Sequence, residues 1–246
     1  MNLEEYEVMY RVEDHHWWYL GMEHITCHLL DRYLPPSGPA LKILDAGCGT
    51  GAVMKYLCRY GEVTGFDYAA EALRFSRRRG YVRLVQASVS AIPLARECFD
   101  LIVSFDVICD YGVDDGQALA EFARILKPGG LAMLRLPAYE WLHGKHDVAT
   151  HNSHRYTRGE IGVKLQRSGF TLLQLSYANM FLFPIAAAKR LSERLLAPHQ
   201  TGSDLTLESG PLNGVLRAIL SSEAALLDGH NLPFGLTVVA VARKEI

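Results

Sequence analysis

The chain has little cysteine and no arrangement of it that would bridge or chelate. Its five cysteines, Cys27, Cys48, Cys58, Cys98 and Cys109, are odd in number and scattered, and no C-x-x-C pair occurs. That pattern suggests neither a disulfide framework nor a zinc knuckle, and it leads us to expect a reducing, cytoplasmic setting. No apolar run reaches the ~20 residues that a membrane span needs. The opening residues Met1 to Glu7 are acidic and lack the apolar stretch of a signal peptide. An excess of one charge is missing too. With 25 basic and 27 acidic residues the net charge is −2, and there is no basic stripe of the kind nucleic-acid binders carry. Repeats and low-complexity tracts are absent. The expected partner is a small molecule, with no nucleic acid and no membrane span.

What is present is a globular pattern. A length of 246 residues, 49% of them apolar, suits one α/β domain with insertions or at most two small ones. From Leu41 onward the pattern alternates strand and helix, the signature of a parallel sheet with crossovers. Strands are expected at 41–45, 62–66, 82–86, 99–104, 130–136, 171–177 and 235–242, with helices near 51–59, 69–79, 115–126 and 157–168. Residues 1–36 read as a helical cap. Residues 41–178 read as a cofactor-binding core with a loop at 137–157, 179–233 as a helical insertion, and 234–246 as a final strand. The insertion is far longer than the usual ~2–6-residue connection. It is compatible with a substrate lid, a homodimer contact or a membrane-surface helix, and the mixed signs of Lys189, Arg190, Glu193 and Arg194 disfavour the last.

The stretch Leu41 to Gly51 ends a strand in Asp45 and then places Gly47, Gly49 and Gly51 at alternate positions before a helix. Glycine is required where the backbone must approach a ligand or adopt a positive φ. The dinucleotide fingerprint G-x-G-x-x-G differs by one register position and lacks the carboxylate. The second strand ends in Asp67, about twenty residues past the turn, where a carboxylate can hold ribose hydroxyls, and Tyr68 follows. Downstream come Ala87-Ser88-Val89, then a fourth strand ending in Phe105, then Leu126-Lys127-Pro128-Gly129-Gly130 before the fifth strand. In order and spacing over about 41–136, D-x-G-x-G-x-G and L-K-P-G-G resemble class I S-adenosylmethionine-dependent methyltransferases of the small-molecule branch, and the segments H-W-W-Y at 16–19, H-R-Y-T at 154–157 and L-P-F-G at 232–235 are similar to a type 11/12-like bacterial subgroup of them.

That resemblance implies a Rossmann-like, doubly wound seven-stranded sheet whose last strand is antiparallel, with S-adenosylmethionine as cofactor. It implies cofactor contacts from Asp45, Gly47, Cys48, Gly49, Gly51, Asp67, Tyr68, Ala87, Ser88, Val89 and Phe105. Ser88 stands where an acidic side chain commonly holds the adenine amino group. The subgroup also implies an arginine a few residues after the aromatic pair, positioned for the methionine carboxylate. Gly21 and Met22 stand in that region instead.

Two other segments carry chemistry. His15-His16-Trp17-Trp18-Tyr19 is too apolar to leave in water, so it either packs on a sheet edge or roofs the cofactor pocket, with Trp18 and Tyr19 as cofactor contacts. Residues 137–157 hold Tyr139, Trp141, His143, His146, His151, His154, Arg155 and Tyr156. Loops at the carboxyl ends of such strands line the crevice. Histidine titrates near neutrality and suits a general base, so the candidates are His151 and His154, then His143 and His146, with His16 from the opposite wall. Tyr139, Trp141, Arg155 and Tyr156 are candidate acceptor contacts, and Arg155 could equally pair with Asp147. A metal is not expected. The leading expectation is methyl transfer to a small-molecule acceptor, an oxygen before nitrogen or carbon. The alternatives are a catalytically inactive S-adenosylmethionine-binding partner subunit and an NAD-dependent oxidoreductase.

Overall fold

The structure is a computed structural model that describes residues 3–35, 39–196 and 210–245. Seven strands form one sheet in the order β3-β2-β1-β4-β5-β7-β6: β1 (Leu41–Ala46), β2 (Gly61–Asp67), β3 (Leu84–Gln86), β4 (Phe99–Phe105), β5 (Leu126–Pro137), β6 (Phe170–Ala178) and β7 (Thr237–Lys244). β1 pairs in parallel with β2 on one side and β4 on the other. Its crossovers therefore leave in opposite directions, and a crevice opens at the carboxyl ends of the two strands. Ile43, Leu44, Leu101, Ile102 and Val103 are buried, as expected for central strands covered on both faces. Helices α3 (Ala52–Leu57), α4 (Ala70–Arg78), α5 (Asp115–Ile125) and α7 (Arg158–Arg167) supply those faces, and α6 (Lys145–Thr150) lies in the loop after β5.

The expected sheet is present, including its antiparallel last strand. β7 is antiparallel to both β5 and β6, and Ala178 at the end of β6 faces Thr237 at the start of β7. The chain thus re-enters the sheet from the end at which β6 left it and has to run back. β5 begins earlier than expected because Leu126 already pairs with Phe99, and the Pro-Gly-Gly turn is absorbed as an irregularity in the ladder. β3 is shorter than expected, starting at Leu84.

α1 (Leu3–Val12) and α2 (Trp17–Tyr33) form the cap, while α8 (Phe183–Leu196) and α9 (Asn213–Leu226) lie between β6 and β7. α2 packs on α9 so closely that a Cβ on Gly21 would lie 2.6 Å from Leu220 Cδ2. The Trp17 N–H donates to Asn213 Oδ1 at 2.8 Å, and Asn213 Nδ2 donates to the His15 carbonyl at 2.8 Å. Further along, His28 meets Asp228 at 2.7 Å and Arg32 donates to the Leu227 carbonyl. α1 docks on the other side through Tyr10 against Phe75 and through Glu13, which is buried, accepts from Thr50 Oγ1, and pairs with Arg79 at 2.7 Å. Among the described residues no helix is long and apolar enough to cross a membrane.

Candidate active site

A crevice of about 1480 Å³ runs from the glycine turn across the carboxyl ends of β1, β4 and β5 to the loop after β5. The turn itself is tied to β2. Gly47 and Cys48 N–H groups both donate to the Phe66 carbonyl at 2.9 Å. Gly47 has φ 84° and Gly49 φ 52°, the left-handed region that favours glycine. Asp67 is clamped by the backbone, one oxygen accepting from Gly49 N–H and the other from Ala69 N–H, each at 2.9 Å. Burial raises its pKa, and those two donors oppose the rise. A carboxylate held this way presents its remaining lone pairs to the crevice in a fixed orientation.

Asp45 is sealed from solvent, and its Oδ2 has no hydrogen-bond partner. Burial pushes its pKa up to about 8, with Asp67 adding to the rise and Arg135 opposing it. Within the turn, Cys48 lines the crevice and is buried with Sγ 3.9 Å from Ser76 Oγ, and burial pushes its thiol up, so it holds little thiolate. Tyr68, 79% exposed, lies at the rim, and Ala87, Ser88 and Val89 line the same end. Ser88 Oγ accepts from the Ser90 N–H at 3.2 Å, which leaves its own O–H to donate. Phe105, Trp18 and Tyr19 line the crevice as well. Of the two placements expected for the aromatic segment, the rings line the crevice, while the Trp17 N–H is anchored on helix α9 and not on a sheet edge. Gly51 is not in the wall. With φ 90° it caps α3 and lies under Ser76 and Tyr81.

The histidine candidates separate. His16 and His151 both line the crevice, one from the start of α2 and the other from the end of α6. His16 caps α2, accepting from Trp18 N–H at 3.3 Å. His151 ends α6 with φ 63°, and its carbonyl accepts from Tyr111 N–H. His154 lies outside the crevice, bonded to Glu160 at 2.7 Å and lying edge-on to Tyr156. His143 bonds to the Asn152 carbonyl at 3.2 Å, also away from the crevice wall. The His146 side chain lies outside the described residues.

Residues 137–157, loop-like in sequence, contain α6 and a 3-10 turn at Glu140–Leu142. The organiser is Asp147. Its carboxylate accepts from Gly144 N–H, from Asn152 Nδ2 and from both Nε and Nη2 of Arg155. Burial alone would raise its pKa, but the Arg155 fork holds it below the usual carboxylate range. Arg155 reaches the crevice wall, yet its charge is committed to Asp147. Tyr156 is buried with its hydroxyl donating to Asp115 at 2.7 Å. Tyr139 stacks on Tyr177 at 5.0 Å, and Trp141 joins Phe183 at 6.0 Å. Tyr139, Trp141 and Tyr156 do not line the crevice.

Three crevice residues carry chemistry that the sequence pattern did not single out. Asp110 lines the crevice, and burial, aided by Asp106 and Asp67, pushes its carboxyl up to about 7. Asp106, with φ 58°, accepts from Arg135 Nε at 3.0 Å. Arg135 is buried on β5 between the rings of Trp18 and Phe105, 4.8 and 4.5 Å from their centroids. A signal for Arg135 existed: it interrupts the otherwise apolar run Leu131 to Leu136. Asp106 and Asp110 followed β4 without a motif to mark them.

Residues 44–134 match the family described as a methyltransferase domain. The malonyl-[acyl-carrier protein] O-methyltransferase of Enterobacter lignolyticus is 40% identical over 100 residues, 39% of either chain. A probable tRNA methyltransferase 9B of Homo sapiens is 33% identical over 111 residues, 44% of this chain and 24% of that protein. The chain thus spans about two-fifths or less of the length of such curated relatives. Among solved structures, the complex between the Haloferax volcanii Trm112 methyltransferase activator and a methyltransferase contains a chain of similar fold. Its TM-score is 0.62 at 18% identity, covering 99% of this chain and 95% of that one. An S-adenosylmethionine-dependent methyltransferase of Thermotoga maritima gives 0.61 at 18% identity, covering 98% and 96%.

Proposed function

We infer that this chain, a class I S-adenosylmethionine-dependent methyltransferase by its domain and its fold, transfers a methyl group to a small-molecule acceptor, an oxygen nucleophile before nitrogen or carbon. S-adenosylmethionine is the cofactor of the domain. The residues present fit it: Asp45 offers an unpartnered buried oxygen to an ammonium, Asp67 is oriented for ribose hydroxyls, and Ser88 keeps a donor at the adenine end.

The observation that carries the reading is one continuous crevice. It joins the glycine turn and Asp67 to His16, His151 and Asp110. When bound, the cofactor supplies an electrophilic methyl carbon on sulfonium, so positioning accounts for much of the acceleration. His151 and His16 line that crevice, which supports reading them as acceptors of a proton from an acceptor hydroxyl, a role worth ~10²–10⁴-fold. Asp110, whose pKa near 7 leaves it partly ionised at neutrality, is a third such group. His154 and His143 support the loop through Glu160 and Asn152. The cap and the helices at 179–233 act with the core as one unit. The crevice wall carries more acidic than basic side chains, which disfavours a phosphate backbone and favours a small acceptor over nucleic acid.

The test is to incubate the protein with methyl-tritiated cofactor and separated pools of metabolites, RNA and protein. Label should enter the metabolite pool. Label in RNA or protein would overturn the acceptor class, and tight cofactor binding with no product in any pool would favour a non-catalytic partner subunit. With an acceptor in hand, His151→Ala should slow turnover by about tenfold or more with cofactor affinity intact, while His154→Ala should change turnover far less.

A further inference from the structure

The sequence resemblance leads one to look for an arginine near positions 21 and 22, and the structure shows why none could act there. Gly21 is pressed against Leu220, and Met22 is 1% exposed in the core. We propose that Arg135, from β5, is the anion anchor of the crevice, holding the α-carboxylate of the cofactor's amino-acid arm while Asp45 faces its ammonium. The proposal rests on the cofactor reading above.

A guanidinium inside a sheet is costly to bury and is retained only with compensation. Asp106 supplies part of it, through Nε alone. Trp18 and Phe105 pack against the guanidinium at 4.8 and 4.5 Å, which restrains its position and adds cation–π attraction. The two terminal amino groups make no hydrogen bond to any described residue, and Arg135 lines the crevice. A planar fork with spare donors is suited to bidentate capture of a carboxylate. The other paired cations of the wall are committed: Lys55 to Asp14 at 3.0 Å, and Arg155 to both oxygens of Asp147.

Asp45 completes the match. It lies close enough to feel the Arg135 charge, and its Oδ2 is the unpartnered atom of the glycine-turn end. An acid with a spare oxygen within electrostatic range of a cation with spare donors, both on one crevice, is complementary to a group that carries an ammonium and a carboxylate on one carbon. A free-standing anion or cation would satisfy only half of it.

Calorimetric titration with two ligands tests this without any acceptor. S-adenosylhomocysteine carries the amino-acid head, and 5′-methylthioadenosine lacks it. The wild-type protein should prefer the first. Arg135→Met should lower affinity for S-adenosylhomocysteine by about tenfold or more and leave methylthioadenosine affinity within about twofold. Equal losses for both ligands would mean a structural role and overturn the proposal, as would an unchanged affinity for S-adenosylhomocysteine. If Arg135→Met does not fold, Arg135→Lys, which keeps the charge but loses the fork, should show the same selective loss at smaller size, and the same equal loss would overturn it. A wild-type protein that binds neither ligand refutes the cofactor reading itself. One that binds both equally refutes only the anchor.

Discussion

At the scale of single residues, the crevice stores protons that its ligand should displace. Asp45 has its pKa raised to about 8 by burial, far above the ~3.9 of an unfolded aspartate. A raised folded pKa means that the native state binds more protons than the unfolded chain between those values. Its contribution to stability is therefore present at low pH and lost as pH rises through about 8. Asp110, raised to about 7, acts in the same direction. The ligand-free protein should thus lose thermal stability between about pH 6 and 8.5. S-adenosylhomocysteine, whose ammonium favours the ionised Asp45, should raise Tm more at pH 8 than at pH 6, and calorimetry at pH 7 in buffers of different ionisation enthalpy should show net proton release. Proton uptake would contradict the assignment. Asp67→Asn keeps the size of the side chain but removes the charge. It should weaken cofactor binding by about tenfold, in keeping with ~1.5–3 kcal/mol for hydrogen bonds to a charged group, and unchanged affinity would sink the ribose role.

At the scale of elements, the decisive contact is the one between α2 and α9. Gly21→Ala adds a methyl where Leu220 already stands, so overpacking of about 1–3 kcal/mol should outweigh the gain in helix propensity. Combining it with Leu220→Ala should cost less than the sum of the two single changes, measured by denaturant unfolding. Strict additivity would show that the helices do not press together there. In the loop after β5, Asp147→Ala would leave the largely buried Arg155 without its carboxylate, a change that costs about 3–5 kcal/mol and should be seen as a lowered Tm. The elements differ in how far they could be read from sequence. The strand and glycine turn of Leu41–Gly51 were legible because backbone geometry permits few alternatives to glycine beside a strand end, and the apolar run of β7 was legible from its hydrophobicity. α6 was not, because six residues are too few to show a helical period and it is held by Asp147 instead. Tyr139, Trp141 and Tyr156 shared a loop with His151, but side-chain direction decided their fate, and chain position does not reveal it.

At the scale of the whole molecule, the crevice is a joint product of distant segments: the cap over one wall, β1 and β2 for the cofactor end, β4 and β5 for Asp106, Asp110 and Arg135, and α8 with Ala186 and Arg190 at the far rim. Changes that loosen α2 from α9, such as Asn213→Ala with its two lost hydrogen bonds to the His15–Trp17 backbone, should weaken cofactor binding although Asn213 is no part of the wall. Equal affinity in that variant would show that the roof holds without its latch. The α2–α9 pairing has one more consequence, in the order of events during synthesis. At ~5–20 residues per second, the ribosome releases the glycine turn and all of β1 to β5 several seconds before Asn213–Leu226 exists to meet Trp17. Until then the aromatic segment lacks its latch on α9, although Trp18 can already pack on Arg135 of β5. The roof is made of the earliest described residues but is latched only with some of the last.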